Sequence, residues 1–321
     1  MPPWLRRTLR WASFVLGGIW VLLMTLWFAH TFSDAEGKRD LEHAMLDVVD
    51  LVRESPLAPI GVVDALDDWA DTLPVVIGTP VPVPVPAADV ASPYGAPAGG
   101  TWLRLVNPGY EVGYDDAERI PRWAAYRALP ATYPEPPRPS RFRADVRTAS
   151  QVRTESYARS GYDRGHLAPN HILAVAHGPK AQAASFLMSN VVPQLHGLNA
   201  GLWKDLEQRI ARRYVRRYGE VWVATGPLLD SSVAPRRFGA AERAVRVPDG
   251  FWMVMAERTD AGGLRVQAFL VPHREIWQDP NPSAYLVSVD EVERLTGLDF
   301  FPELPAKTQD VLERAPAARA W

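Results

Sequence analysis

Gly161-Tyr162-Asp163-Arg164-Gly165-His166-Leu167 carries the chemistry of this 321-residue chain, and two later stretches, Ser189 to Gln194 and Leu198 to Glu207, tell what kind. Side chains alternate between the two faces of a strand, so Arg164 and His166 fall on one face and Asp163 on the other. A base and a guanidinium aimed at one spot suit an anionic ester, because Arg grips phosphate oxygens in a planar fork. Gly165 lets the backbone pass close to a substrate. Taken alone, the four letters also read as a strand-end turn with an Asp–Arg salt bridge.

The blocks downstream separate these readings. Ser189-Asn190-Val191-Val192-Pro193-Gln194 precedes Leu198-Asn199-Ala200-Gly201-Leu202-Trp203-Lys204-Asp205-Leu206-Glu207. In this order and spacing the chain resembles the DNA/RNA non-specific endonucleases, the family of bacterial sugar-non-specific nucleases and mitochondrial endonuclease G. Their hallmark is a DRGH strand, an SNxxPQ stretch and a helix opening LNxxxWxxLE. Val221-Trp222-Val223-Ala224-Thr225-Gly226-Pro227 is similar to the family's strand and TGP loop. Residues 289–293 and 295–301 are similar to its closing helix, so the resemblance spans about residues 100–305. It implies a ββα-metal finger on a mainly antiparallel sheet flanked by helices.

Length allows one catalytic domain with accessory segments. The absence of cysteine excludes thiolate metal sites, a Cys nucleophile and disulfides. The net charge of −2 hides an asymmetry: residues 1–32 carry three Arg and no acid, 33–99 sum to −9, and the remainder to +4. Arg6, Arg7 and Arg10 precede an uncharged run over residues 11–29 that would make a helix about 28 Å long, near the thickness of a bilayer core. Trp4, Trp11, Trp20 and Trp27 add interface character. With Asp34 and Glu36 on the far side of the run, the positive-inside rule predicts a single-pass anchor in a bacterial inner membrane, residues 1–33, with the rest periplasmic. The rival is a signal peptide cleaved near Ser33-Asp34-Ala35.

Residues 34–99 read as an acidic stalk helix (Leu41, Met45, Val48, Val49, Val52 at helical spacing) and then a spacer. Pro80-Val81-Pro82-Val83-Pro84-Val85-Pro86 favours extended polyproline conformation there. The endonuclease domain is expected over 100–321. Strands are predicted at 102–106, 110–114, 122–127, 221–225, 251–257 and 264–271, and helices at 180–188 and 199–218. Their irregular interleaving indicates α+β.

His166 is the candidate general base, its pKa near neutrality suiting it to take a proton from water. Asn199 is the candidate metal ligand, an amide oxygen being a hard donor suited to Mg2+, with Mn2+ as substitute; it reads equally as a helix N-cap. Glu207, about 12 Å further along an unbroken helix, is expected to orient metal-bound water. Asn190 matches a family position that supports the site, and would look the same satisfying a buried turn. Arg164 is the phosphate contact. The family's R-x-x-x-F-x-x-D pattern adds Arg138 through Phe142 and Asp145, with Arg141 as a competing register. Some members carry an Arg four residues after the Glu; here that is Ala211, with Arg212 next to it. His171, His177 and His196 lack the spacing of a zinc site, and His273 reads as structural.

The leading function is a Mg2+-dependent endonuclease cutting DNA and RNA with little sequence preference. The alternative is a membrane-tethered nucleic-acid receptor or uptake component in which cleavage is secondary; the +4 of the catalytic region is small for a strong non-specific binder. Family members are often dimers, so a homodimer is expected by resemblance, although nothing in the sequence marks an interface.

Overall fold

A computed structural model describes residues 3–33, single residues between 38 and 69, and 81–83, 91–92, 94–259, 262–277, 282–317 and 320–321; for 3–16 only the backbone is described. The chain divides into two compact units, Met1–Ile77 and Gly78–Trp321.

In the first unit helix α1 spans Pro3–Phe32. Among the described residues no helix is long and apolar enough to cross a membrane. Residues 11–16 of the expected anchor lie outside the described side chains. On the described part of α1, Trp20, Val21, Met24, Trp27, Phe28 and Phe32 are exposed. Leu41, Met45, Val48, Val49 and Val52 are helical, as their spacing predicts. Their stripe is not that of a solvated stalk, because Met45, Val49 and Val52 are buried. Buried Glu42 pairs with His30 Nε2 at 2.7 Å.

The second unit is built on one antiparallel sheet. Its strands are β1 (Val81–Pro82), β2 (Leu103–Asn107), β3 (Tyr110–Asp115), β4 (Ile120–Ala128), β7 (Val221–Leu228), β10 (Gly250–Arg258), β11 (Gly263–Pro272) and β12 (Leu286–Val287). The order is β1-β11-β10-β7-β4-β3-β2, with β12 also on β11. The short ribbons β5 (Asp163–His166) with β6 (Val191–Gln194) and β8 (Arg237–Phe238) with β9 (Val245–Arg246) stand apart from it. The Pro-Val alternation is thus no free spacer: Val81 and Pro82 pair with Leu264 and Gly263 at the sheet edge. Proline is tolerated there because an edge strand leaves one row of backbone groups unpaired. Residues 84–90 lie outside the described residues.

β10 is buried almost throughout because both faces of the sheet are covered. Trp252, Val254 and Ala256 point into a core with Trp123, Trp222 and Phe300, closed by the helix Val289–Thr296. The alternate residues face the opposite layer, where the Phe251 ring meets Trp203 at 5.4 Å. That layer is an excursion of the chain between β4 and β7, which are themselves neighbours in the sheet. It contains α2 (Asn170–His177), α3 (Pro179–Ser185), α4 (His196–Ala200), α5 (Leu202–Arg209), a π-type turn Ile210–Tyr214, and α6 (Val215–Tyr218). Two further helices, α7 (Val289–Thr296) and α8 (Ala306–Glu313), come after the sheet. The single helix expected over 199–218 is therefore broken. A Cβ on Gly201 would sit 2.1 Å from the Ile276 carbonyl oxygen, so only glycine admits that strand of backbone at the break.

Candidate active site

β5 and β6 pair antiparallel, with Arg164 opposite Pro193 and His166 opposite Val191. The segment 142–145 runs alongside 187–188, Arg143 N–H donating to Phe186 O and Met188 N–H to Arg143 O. Those bonds bring Phe142 and Phe186 against each other and against His166, with ring centroids 4.8 Å apart between the phenylalanines and 5.1 and 5.0 Å from the imidazole. Each phenylalanine also carries a guanidinium, Arg164 over Phe142 at 5.2 Å and Arg138 over Phe186 at 5.4 Å. The result is a triangular cluster of Phe142, Phe186 and His166 with a guanidinium over each phenylalanine. Arg164 and His166 share a face, as strand alternation predicts.

Arg138, Arg164, His166, Asn199 and Glu207 line one cleft of ≈ 490 Å³. His166 Nε2 is buried there without a hydrogen-bond partner. Burial, then Arg138, pushes its pKa down to about 3, which keeps the ring neutral at ordinary pH. Glu207 shifts the other way. Burial raises its carboxyl to about 8, with Arg138 and Trp203 opposing the shift. Gly201 interrupts the helix between Asn199 and Glu207, and both residues line the cleft.

Asn199 is not an N-cap; it lies inside α4. Its Nδ2 donates to Asp163 Oδ2 at 3.0 Å, which leaves Oδ1 as the amide's hard donor. Asp163 also accepts from His196 Nδ1 at 2.7 Å. The residue assigned to the opposite face of β5 therefore orients Asn199, a function that reading the strand alone did not reveal. The Asp of the DRGH run was the available signal.

Asn190 is corrected. It does not reach the cleft: its Oδ1 accepts from Ala168 N–H at 2.9 Å, and its Nδ2 donates to Ala168 O and Ser185 O at 2.9 and 3.0 Å. Every polar atom of the buried amide is used in clamping β6 to the turn after β5, so its part is positional. Gly165 is corrected as well. A Cβ there would lie 2.0 Å from Gln194 Oε1, so the missing side chain makes room for Gln194 rather than for substrate. Ser189 Oγ donates to Asp145 Oδ2 at 2.7 Å. Burial alone would raise the Asp145 pKa, but hydrogen bonds from Arg147 and Ser189 bring it below the usual range.

Ala211 and Arg212 both line the cleft. The π-type turn inserts one residue into the helical register, so the position after Ala211 swings toward the site. The remaining histidines do not gather: His171 Nδ1 meets Glu135 at 2.9 Å and His177 Nε2 meets Arg127 O at 2.8 Å. His273 Nε2 accepts from Leu195 N–H at 2.9 Å and its Nδ1 donates to Pro248 O at 2.8 Å, a strut under the start of α4.

Comparison with known proteins decides the family. A family model described as DNA/RNA non-specific endonuclease matches residues 90–307. This chain belongs to that family. Human mitochondrial nuclease EXOG is 31% identical over 245 residues, covering 69% of this chain and 62% of the relative. The chain thus spans less than two thirds of that relative's length. A nuclease of Nostoc sp. is 30% identical over 250 residues, covering 71% of this chain and 86% of its own. The solved structure of an EndoG/EndoGI complex, concerned with the mechanism of EndoG inhibition, superposes with a TM-score of 0.59 at 28% identity. It covers 67% of this chain and 91% of that one. The α+β fold with an antiparallel sheet flanked by helices is common to both.

Proposed function

We propose that this member of the non-specific endonuclease family is a divalent-cation-dependent phosphodiesterase of the ββα-metal type, cutting DNA and RNA backbones with little sequence preference. The observation that carries the reading is the convergence of Arg138, Arg164, His166, Asn199 and Glu207 on one cleft. His166, neutral and with Nε2 uncommitted, takes a proton from the attacking water. Arg164 and Arg138, backed by phenylalanine rings, hold non-bridging phosphate oxygens. Contacts of this kind read backbone rather than bases, so sequence selectivity is low.

The donor set fits a hard cation. Asn199 Oδ1 is left over once Asp163 engages Nδ2, and the cost of burying Glu207's charge is one a neighbouring cation offsets. Asn199 would hold the ion, with Glu207 orienting its water. When bound, Mg2+ (or Mn2+) supplies positive charge that favours the developing phosphorane and the departing 3′ oxygen, leaving 5′-phosphate ends. Nothing in the fold or the relatives supports the receptor reading. The test is cleavage of plasmid and of RNA by the full chain in millimolar Mg2+, against excess chelator. Cleavage of both with Mg2+ only is expected. Undiminished cutting in chelator refutes the cation dependence, and binding without cutting refutes the nuclease.

For placement, the exposed apolar side chains of α1 and the preceding Arg6, Arg7 and Arg10 support an N-in inner-membrane anchor with the catalytic unit periplasmic. That location also keeps an indiscriminate nuclease from the cell's own nucleic acid.

A further inference from the structure

Away from the cleft, α7 and α8 bring three carboxylates together. Oxygens of Asp290, Glu293 and Glu313 all lie within 4.8 Å of one another. Asp290 and Glu293 are spaced i,i+3 on α7, and Glu313 is the last residue of α8. Glu313 is 4% exposed, and its Oε1 has no hydrogen-bond partner. Glu293 is fixed by Phe300 N–H, which donates to its Oε1 at 2.7 Å. The nearby arginines are engaged elsewhere, Arg294 with Glu291 at 2.7 Å and Arg314 with Asp310 at 3.9 Å. Among the described residues none of the three carboxylates has an ion-pair partner. A buried, unpaired carboxylate facing two others is a costly arrangement unless something positive joins it.

We propose that Asp290, Glu293 and Glu313 form a second divalent-cation site, of the calcium class, which ties α7 to α8 and shares no residue with the cleft. Three carboxylates, each able to bind through one or two oxygens, suit the irregular six- to eight-oxygen shell of Ca2+ better than the strict octahedron of Mg2+. The all-oxygen donor set argues against softer transition metals. Burial, and after it the charges of Glu293, Asp290, Asp299 and Asp310, pushes the Glu313 carboxyl up to about 8.

The test is thermal unfolding of the full chain at neutral pH in chelator and in millimolar CaCl2, for the parent, Glu313→Gln, Asp290→Asn and Asn199→Ala. The parent should gain about 5 °C from calcium, as expected for a ligand well above its Kd. Asn199→Ala should keep that gain, while Glu313→Gln and Asp290→Asn lose most of it. In chelator, Glu313→Gln should melt no lower than the parent, since the group it replaces has an unpartnered oxygen and faces two other carboxylates. A parent indifferent to calcium overturns the site, as does a gain surviving in both carboxylate variants or vanishing in Asn199→Ala. Should Glu313→Gln fail to fold, Asp290→Asn, altered at an exposed side chain, decides.

Discussion

Replacing Gly165 with alanine places a methyl group 2.0 Å from Gln194 Oε1, 2.4 Å from its Cδ and 2.7 Å from its Cγ. Ordinary carbon contacts lie near 3.5–4.0 Å, so the overlap is about 1 Å or more on two of these atoms and slightly less on the third. Gln194 is fully buried and cannot swing into solvent. Overpacking of this kind costs about 1–3 kcal/mol. For a unit of this size that is a fall in Tm of roughly 2–4 °C per kcal/mol. Relief comes from the ribbon itself, which displaces Arg164 and His166 on either side of residue 165. A shift of ~1 Å at reacting groups costs roughly 10²-fold in rate.

The cause can be isolated with a second change. Gln194 Oε1 and Nε2 have no hydrogen-bond partner, so Gln194→Ala breaks no such bond and leaves chiefly a space. In the double variant the new methyl occupies part of it. Melting temperature and plasmid-cleavage rate, measured for both singles and the double, should show a favourable coupling of about 1–3 kcal/mol, within the range of contacting residues. A Gly165→Ala variant as stable and active as the parent refutes the packing argument. An activity loss with no stability loss, unrelieved by Gln194→Ala, would instead show that substrate needs the bare backbone.

His166→Ala should lower cleavage by about 10²–10⁴-fold while leaving nucleic-acid affinity largely intact; turnover within a few-fold of the parent removes His166 as the base. Asn199→Ala should raise the Mg2+ concentration for half-maximal cleavage. Asp163→Ala, which frees the Asn199 amide to rotate, should do so more weakly, and an unchanged Mg2+ profile in both counts against the donor assignment. A reporter active only in the cytoplasm, fused after Trp321, should be silent with the protein in the membrane fraction. A strong signal there overturns the proposed topology, and silent protein released in shortened form indicates a cleaved signal peptide.

The antiparallel core was readable because its strands are long, apolar and bounded by turns. The predicted 251–257 and 264–271 are observed as Gly250–Arg258 and Gly263–Pro272. The edge strand at Val81–Pro82 was not, because proline alternation describes a backbone preference, whereas pairing with Leu264 and Gly263 is a tertiary event. The break at Gly201 was missed for a similar reason. Nothing within residues 199–218 shows that the Ile276 carbonyl will press against the backbone there. Strand alternation places Asp163 away from Arg164 and His166, but its bond to Asn199 is not legible from one strand, because Asn199 arrives on a different element.

The letters of the motif thus divide by what they touch. Ser189 holds Asp145, Asn190 holds Ala168 and Ser185, and Gln194 fills the space that Gly165 leaves. These are packing relations that hold the β5–β6 ribbon and the segments around it in place. Arg164, His166, Asn199 and Glu207 are the letters that face the cleft. A signature of this type therefore mixes residues that act on substrate with residues that set where those others stand. Substitution should separate the two groups by readout. Loss at Asn190 or Ser189 should appear first as lowered stability, because a buried polar partner is orphaned. Loss at His166 should appear as lowered turnover in a protein that still folds. An Asn190→Ala variant that melts like the parent yet cannot cut would contradict this division and return Asn190 to the chemistry.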